Sequence, residues 1–105
     1  MKKIEAIIQP FMMSPVLDAL HVIDGVSGIT TSEVHGLNMR ALATYERHVR
    51  LKLEIVVSDD LAGHVAETIR ERAHTGHSGD GHVFILDVAQ AMSIRSAKTG
   101  PTDAG

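Results

Sequence analysis

The sequence predicts an α+β fold of order β-α-β-β-α-β, in which both helices cover one face of an antiparallel sheet. Three observations predict it. Val49, Leu51, Leu53 and Ile55 alternate with Arg50, Lys52 and Glu54, the period-two pattern of a half-buried strand. Leu61, Ala62, Val65, Ala66, Ile69 and Ala73 fall on one stripe at helical spacing. A strand and a helix ahead of them repeat the same order, so two β-α-β units can share one sheet.

The elements follow in order. Residues 2–9 read as a strand because Ile4, Ile7 and Ile8 supply β-branched apolar mass. Pro10, which has no N–H for a ladder, closes it. A helix starts at about Ser14, with Val16, Leu17, Ala19, Leu20 and Ile23 on its apolar side, and Gly25 is its natural stop. Residues 29–35 are rich in Ile, Thr and Val between Gly28 and Gly36, a second strand. Residues 37–47 show no clean period and read as a connecting loop, and residues 49–57 as the third strand. Ser58 stands at the N-cap of the second helix, with Asp59 and Asp60 at the positive end of its dipole. A glycine-rich turn over 75–81 leads into a fourth strand over 82–88, and Ser93-Ile94-Arg95 suits a short additional one. Residues 96–105 are polar and read as a mobile tail, leaving a single domain over 1–95. In this ferredoxin-like arrangement the second face of the sheet keeps apolar side chains, which points to an oligomer.

Composition narrows the function classes. The chain has 105 residues, 44% hydrophobic and 22% charged, the balance of a soluble globular domain. Aromatics are 3%, so the core is aliphatic. A formal net charge of −3 and the lack of a basic run argue against nucleic acid as a partner. Cysteine is absent, which excludes disulfides and thiolate catalysis and fits the cytoplasm. The N-terminus lacks the apolar core of a signal peptide, and no stretch approaches the roughly 20 apolar residues that span a bilayer.

The stretch with chemistry in it runs from His74 to Phe84. Gly76, Gly79 and Gly81 lie between the end of a helix and the start of a strand, where glycine permits positive φ and close approach of a ligand to the backbone. Consecutive N–H groups in such a turn form an anion-binding concavity, with His77, His82 and Arg95 available as cations. The spacing admits two readings: a phosphate-binding turn, or a loop-to-strand connection that merely needs three glycines. It is neither a Walker A loop nor a Rossmann fingerprint.

Thr75-Gly76-x-x-Gly79-Asp80-Gly81-x-x-Phe84 resembles the nucleotide-binding B-loop of the PII signal-transduction family. Residues 1–11, 28–36 and 52–61 resemble that family's first strand, second strand, and third strand with helix start, so the likeness covers nearly the whole chain. It implies a homotrimer that binds an adenine nucleotide in clefts between subunits and regulates a protein target, such as a membrane transporter, with no catalysis. By the same resemblance Gly28 and Thr30 lie beside the adenine, and Glu54 and Val56 approach from the other side. Gly79 and Gly81 give backbone N–H groups to the phosphates, Arg95 supplies a charged contact, Asp80 shapes the turn, and Thr75, Gly76, Gly36 and His82 complete the site. Gly81→Ala and Arg95→Ala are then expected to weaken nucleotide binding without unfolding the chain.

Three departures from the family shape the expectation. His82 and Ser93 stand where the family usually has a lysine and an arginine, which favours ADP or AMP over ATP and makes binding sensitive to pH around 6 to 7 as an estimate. Asn38 and Arg40 stand at the base of the family's T-loop, where 2-oxoglutarate sensors carry a glutamine that holds magnesium. The T-loop region, residues 37–49, is short, and the motif around the family's modified tyrosine is absent at Tyr45. The segment 11–21 and the pair Ala73-His74 resemble the PII-like subgroups linked to heavy-metal efflux or to bicarbonate uptake and carboxysomes. The alternative function is therefore a metal- or bicarbonate-responsive module in which nucleotide is secondary. The seven histidines invite that reading, although His74, His77 and His82 have weak spacing for a metal site, and His21, His35, His48 and His64 are scattered. No tightly bound cofactor and no resident metal are expected.

Overall fold

The structure, a computed structural model, describes residues 1–38 and 46–96. Its elements are β1 (Lys2–Ile8), a 3-10 turn (Pro10–Met12), α1 (Met13–His21), β2 (Thr30–Asn38), β3 (Glu46–Val57), α2 (Asp59–Ala73) and β4 (Gly81–Asp87). The sheet order is β2-β3-β1-β4, and each neighbouring pair is antiparallel. This is the ferredoxin-like topology that the sequence predicts.

The core forms because β1 and β3 alternate in register. Ile4 faces Ile55 and Ala6 faces Leu53 across the ladder, so the apolar set of each strand points to the same side. Val16 and Leu20 of α1 close on that side together with Ala62, Val65, Ile69 and Ala73 of α2, and all of these are buried. Each large aliphatic side chain so buried stabilises the fold by about 1.5–3 kcal/mol.

Among the described residues, no helix covers the opposite face of the sheet. Ile7, Val56, Phe84 and Leu86 keep it partly apolar, as expected, but its centre is a lattice of charge. Lys3 is ion-paired with Glu54 and stands 3.7 Å from Glu5, while Lys52 stands 3.5 Å from Glu5 and 3.8 Å from Glu54. The Lys3 ammonium holds the Glu54 carboxyl below its ordinary range, and Glu54 in turn raises Lys3.

Four expectations are corrected. Residues 37–47 are not all loop, because strand pairing continues through Gly36↔His48, Leu37↔Arg47 and Asn38↔Glu46. Main-chain ladder bonds hold this arm, and with no buried face nothing imposes an alternating side-chain pattern. Ser93-Ile94-Arg95 is not a strand; a lone bridge at Met92 is followed by bends, and Ile94 is fully exposed. α1 ends at His21 rather than at Gly25, and Ile23 packs against the core from beyond the helix. Ser58 does occupy the N-cap position of α2, yet its hydroxyl makes no capping bond, and its carbonyl accepts the Leu61 N–H at 3.1 Å. The Met1 ammonium pairs with Asp59 at that helix start.

Arg40 and Tyr45, singled out in the sequence, lie outside the described residues, as does the tail from residue 97. Among the described residues no helix is long and apolar enough to cross a membrane.

Candidate functional site

α2 ends at Ala73 and the chain leaves it through His74 in an extended conformation. The turn that follows needs its glycines: Gly76, Gly79 and Gly81 have φ of +87°, +89° and +105°. Asp80 ties the turn together. Its carboxylate accepts the Thr75 N–H at 2.8 Å and the Gly76 N–H at 3.0 Å, and it also accepts the Thr75 hydroxyl. These bonds, the Thr75 hydroxyl foremost, hold the Asp80 carboxyl below its ordinary range, and the nearby His74 adds to the effect. His74 Nδ1 stands 3.7 Å from the Asp80 carboxylate. Asp80 therefore ties the turn from within.

Two side chains from the sheet reach the middle of this turn. Gln9 Nε2 donates to the Gly79 carbonyl at 2.8 Å. The Arg50 guanidinium sits beside Gly79, where a Cβ would stand 3.0 Å from Nη2. Its other nitrogen, Nη1, donates to the Val49 carbonyl at 2.9 Å. Between the glycine turn and the base of the β2–β3 arm lies an open cleft of about 710 Å³. Gly36, Gly79, Asp80, Gly81 and His82, all predicted as site residues, line it. Sequence reasoning missed Ile7, Leu37, His48 and Arg50, which also line it. Arg50 and His48 look like ordinary solvated positions of an alternating strand, and only the approach of that strand to the glycine turn marks them out.

Thr75 and Gly76 form the first corner of the turn, bonded to Asp80, and do not line the cleft. The remaining predicted residues are elsewhere. Thr30 pairs with Glu54 across β2 and β3, and Val56 lies further along β3. Gly28 lines a different hollow, of about 440 Å³, between α1 and the approach to β2. Arg95 lies in the bend after β4 and lines neither cavity. Within one chain, the predicted residues are therefore not gathered at one place: Gly36, Thr75, Gly76, Gly79, Asp80, Gly81 and His82 lie at or beside the glycine turn, and the other five are spread elsewhere. Among the described residues no group of three side chains is placed to hold a metal ion.

Comparison with known proteins gives one consistent result. The family model described as nitrogen regulatory protein P-II matches residues 1–98. A nitrogen regulatory protein P-II of Azospirillum brasilense is 37% identical over 109 aligned positions, which cover 95% of this chain and 96% of that protein. The corresponding protein of Bradyrhizobium diazoefficiens is 38% identical with the same coverage, and nitrogen regulatory protein P-II 1 of Escherichia coli is 37% identical over 93% of this chain and 95% of its own length. An alignment of 109 positions over 95% of 105 residues means that the relatives carry residues this chain lacks. Among solved structures, the crystal structure of Arabidopsis thaliana PII bound to citrate superposes with a TM-score of 0.83 at 33% identity, over 99% of this chain and 92% of that one.

Proposed function

Because the chain belongs to the nitrogen regulatory protein P-II family, whose members are signal-transduction regulators rather than enzymes, we propose that it is a cytoplasmic sensor of adenine nucleotide. Three copies assemble, and the nucleotide lies in the clefts between them. The occupied state biases the segment 37–49, which engages or releases a protein target, a membrane transporter in the first instance.

The observation that carries this reading is the glycine turn. Asp80 ties a turn with three positive-φ glycines, and two of them, Gly79 and Gly81, line a cleft that a guanidinium also reaches. Such a turn suits phosphate oxygens, which accept from backbone N–H groups and from arginine. The separation of Gly28, Thr30, Glu54 and Val56 from that cleft favours a site completed by a second copy. The edge strand β4 supports association as well, since Phe84, Ile85 and Leu86 leave apolar surface on both of its faces, 42–50% exposed. The citrate on the Arabidopsis relative is consistent with an anionic ligand here. ADP and AMP are favoured over ATP, because His82 and Ser93 supply no fixed charge for a third phosphate.

Isothermal titration with ATP, ADP and AMP, each with and without magnesium, 2-oxoglutarate or bicarbonate, tests the reading. One nucleotide per chain, with ADP or AMP preferred and affinity lowered by Arg95→Ala, is the expected result. Saturable bicarbonate binding with no nucleotide binding would replace it by the bicarbonate-responsive alternative.

A further inference from the structure

The middle of the glycine turn is held from the sheet as well as from within. β1 ends at Ile8, opposite Leu51 of β3, and Gln9 is the next residue. Its backbone is fixed there, because Pro10 follows it and its carbonyl accepts the Met12 N–H at 3.0 Å. From that point the Gln9 side chain crosses to the turn, where Nε2 donates to the Gly79 carbonyl at 2.8 Å. The contact spans 70 positions of sequence, so the fold and not local chain geometry creates it.

A planar trans peptide points its C=O and its N–H in opposite directions. With the Gly79 carbonyl turned to Gln9, the Asp80 N–H points away from Gln9. Gly79 and Asp80 line the cleft, and Gln9 does not. Gly79 has φ of +89°, and without a Cβ its own backbone does little to choose between two orientations of the peptide that follows. Rotation of that peptide would put the oxygen where the N–H stands. A carbonyl oxygen facing phosphate repels it, whereas an N–H donates to it.

We infer that Gln9 is a positioning residue of the cleft: its amide holds the Gly79 carbonyl aside, so that the 79–80 peptide presents its N–H rather than its oxygen to phosphate. The inference rests on the nucleotide reading of that cleft.

The neighbouring groups leave this task to Gln9. The Asp80 carboxylate bonds Thr75 and Gly76 at the first corner of the turn, and neither bond involves the Gly79 carbonyl. Arg50 stands beside Gly79, with Nη1 donating to the Val49 carbonyl. A neutral amide suits a place next to that guanidinium. A carboxylate there would pair with Arg50, and an apolar side chain would leave the Gly79 carbonyl without its donor.

The test uses Gln9→Met and Gln9→Glu, two changes close to glutamine in size that share only the loss of the donor. The Asp80 amide signal is followed by NMR in the free proteins and at saturating ADP without magnesium, and ADP affinity is measured by titration. Both variants are expected to displace the free-state Asp80 signal, and saturating ADP should return that of Gln9→Met to the position of the unaltered protein. Apparent affinity scales with the fraction of chains in the competent orientation, and one ordinary hydrogen bond shifts such a balance by about tenfold or less. Gln9→Met is therefore expected to bind ADP about two- to fivefold more weakly. A contact that is merely structural would displace the Asp80 signal in the bound state too and leave affinity unchanged, which would overturn the inference. An unmoved free-state signal in both variants would overturn it as well, and in either case ADP binding by the unaltered protein would leave the nucleotide reading standing. Failure of the unaltered protein to bind ADP would overturn that reading, and the role of Gln9 with it.

Discussion

Gly81 lies against the backbone of Ile7 so closely that a Cβ on it would stand 1.8 Å from the Ile7 carbonyl oxygen. That oxygen belongs to β1, a central strand, and cannot move aside without disturbing the β1–β4 pairing. Gly81 also has φ of +105°, a region that side chains rarely adopt. Gly81→Ala should therefore cost about 3 kcal/mol or more, by overpacking and by backbone strain together. This departs from the sequence-based expectation that the substitution would spare the fold. Urea unfolding would show the shift, and an unchanged midpoint would contradict the close approach.

Gly79 offers the cleaner probe of the turn. A Cβ there would meet the ends of two flexible side chains, Arg50 at 3.0 Å and Gln9 at 3.4 Å. Gly79→Ala is expected to cost only about 1 kcal/mol in stability, from its positive φ. It should displace Arg50, and phosphate affinity should fall more than stability does. Unfolding and titration on the same variant separate the two effects.

The Asp80 carboxylate stabilises the turn only while it is ionised. Its folded value lies below the ordinary 3.8, so the stabilisation is complete above about pH 4 and is lost as pH falls through the lower folded value. Amide exchange at Thr75 and Gly76 should stay slow relative to intrinsic rates at neutral pH and lose its protection in acid. Asp80→Asn should show the same loss at pH 7. Equal protection in the variant would mean that the carboxylate's charge is not what ties the turn.

Gly63 lies within α2, is exposed, and has nothing within 4 Å of where a Cβ would be. Alanine has no clash to make there and restricts the unfolded chain, so Gly63→Ala should stabilise the protein by about 0.5–1 kcal/mol. A rise in the thermal midpoint checks it.

Leu53 is wholly buried where β1, β3 and the helices meet. Leu53→Ala should cost about 2–5 kcal/mol, since both transfer energy and cavity formation act at such a site. A loss under 1 kcal/mol by denaturant unfolding would mean that the core collapses around the gap.

The sequence by itself determined the order of elements, the face each buries and the place of the glycine turn. The alternation around Leu53 and Ile55, and the stripe through Val65 and Ile69, are local consequences of burying one face, so a single stretch of chain displays them. The three glycines are legible for the same reason, because positive φ is a demand of each residue's own backbone. Tertiary structure decided what depends on two distant stretches meeting. Pairing of Leu37 with Arg47 extends the arm with no pattern in either stretch to announce it, since neither side chain is buried. Arg50 and His48 become part of the cleft, and Gln9 reaches the Gly79 carbonyl, only because sheet register brings β3 and the end of β1 beside a turn some thirty to seventy positions along the chain. The segment around Ile94 has strand-like residues but gains no aligned ladder, and a strand exists only where a partner supplies the other half of its hydrogen bonds.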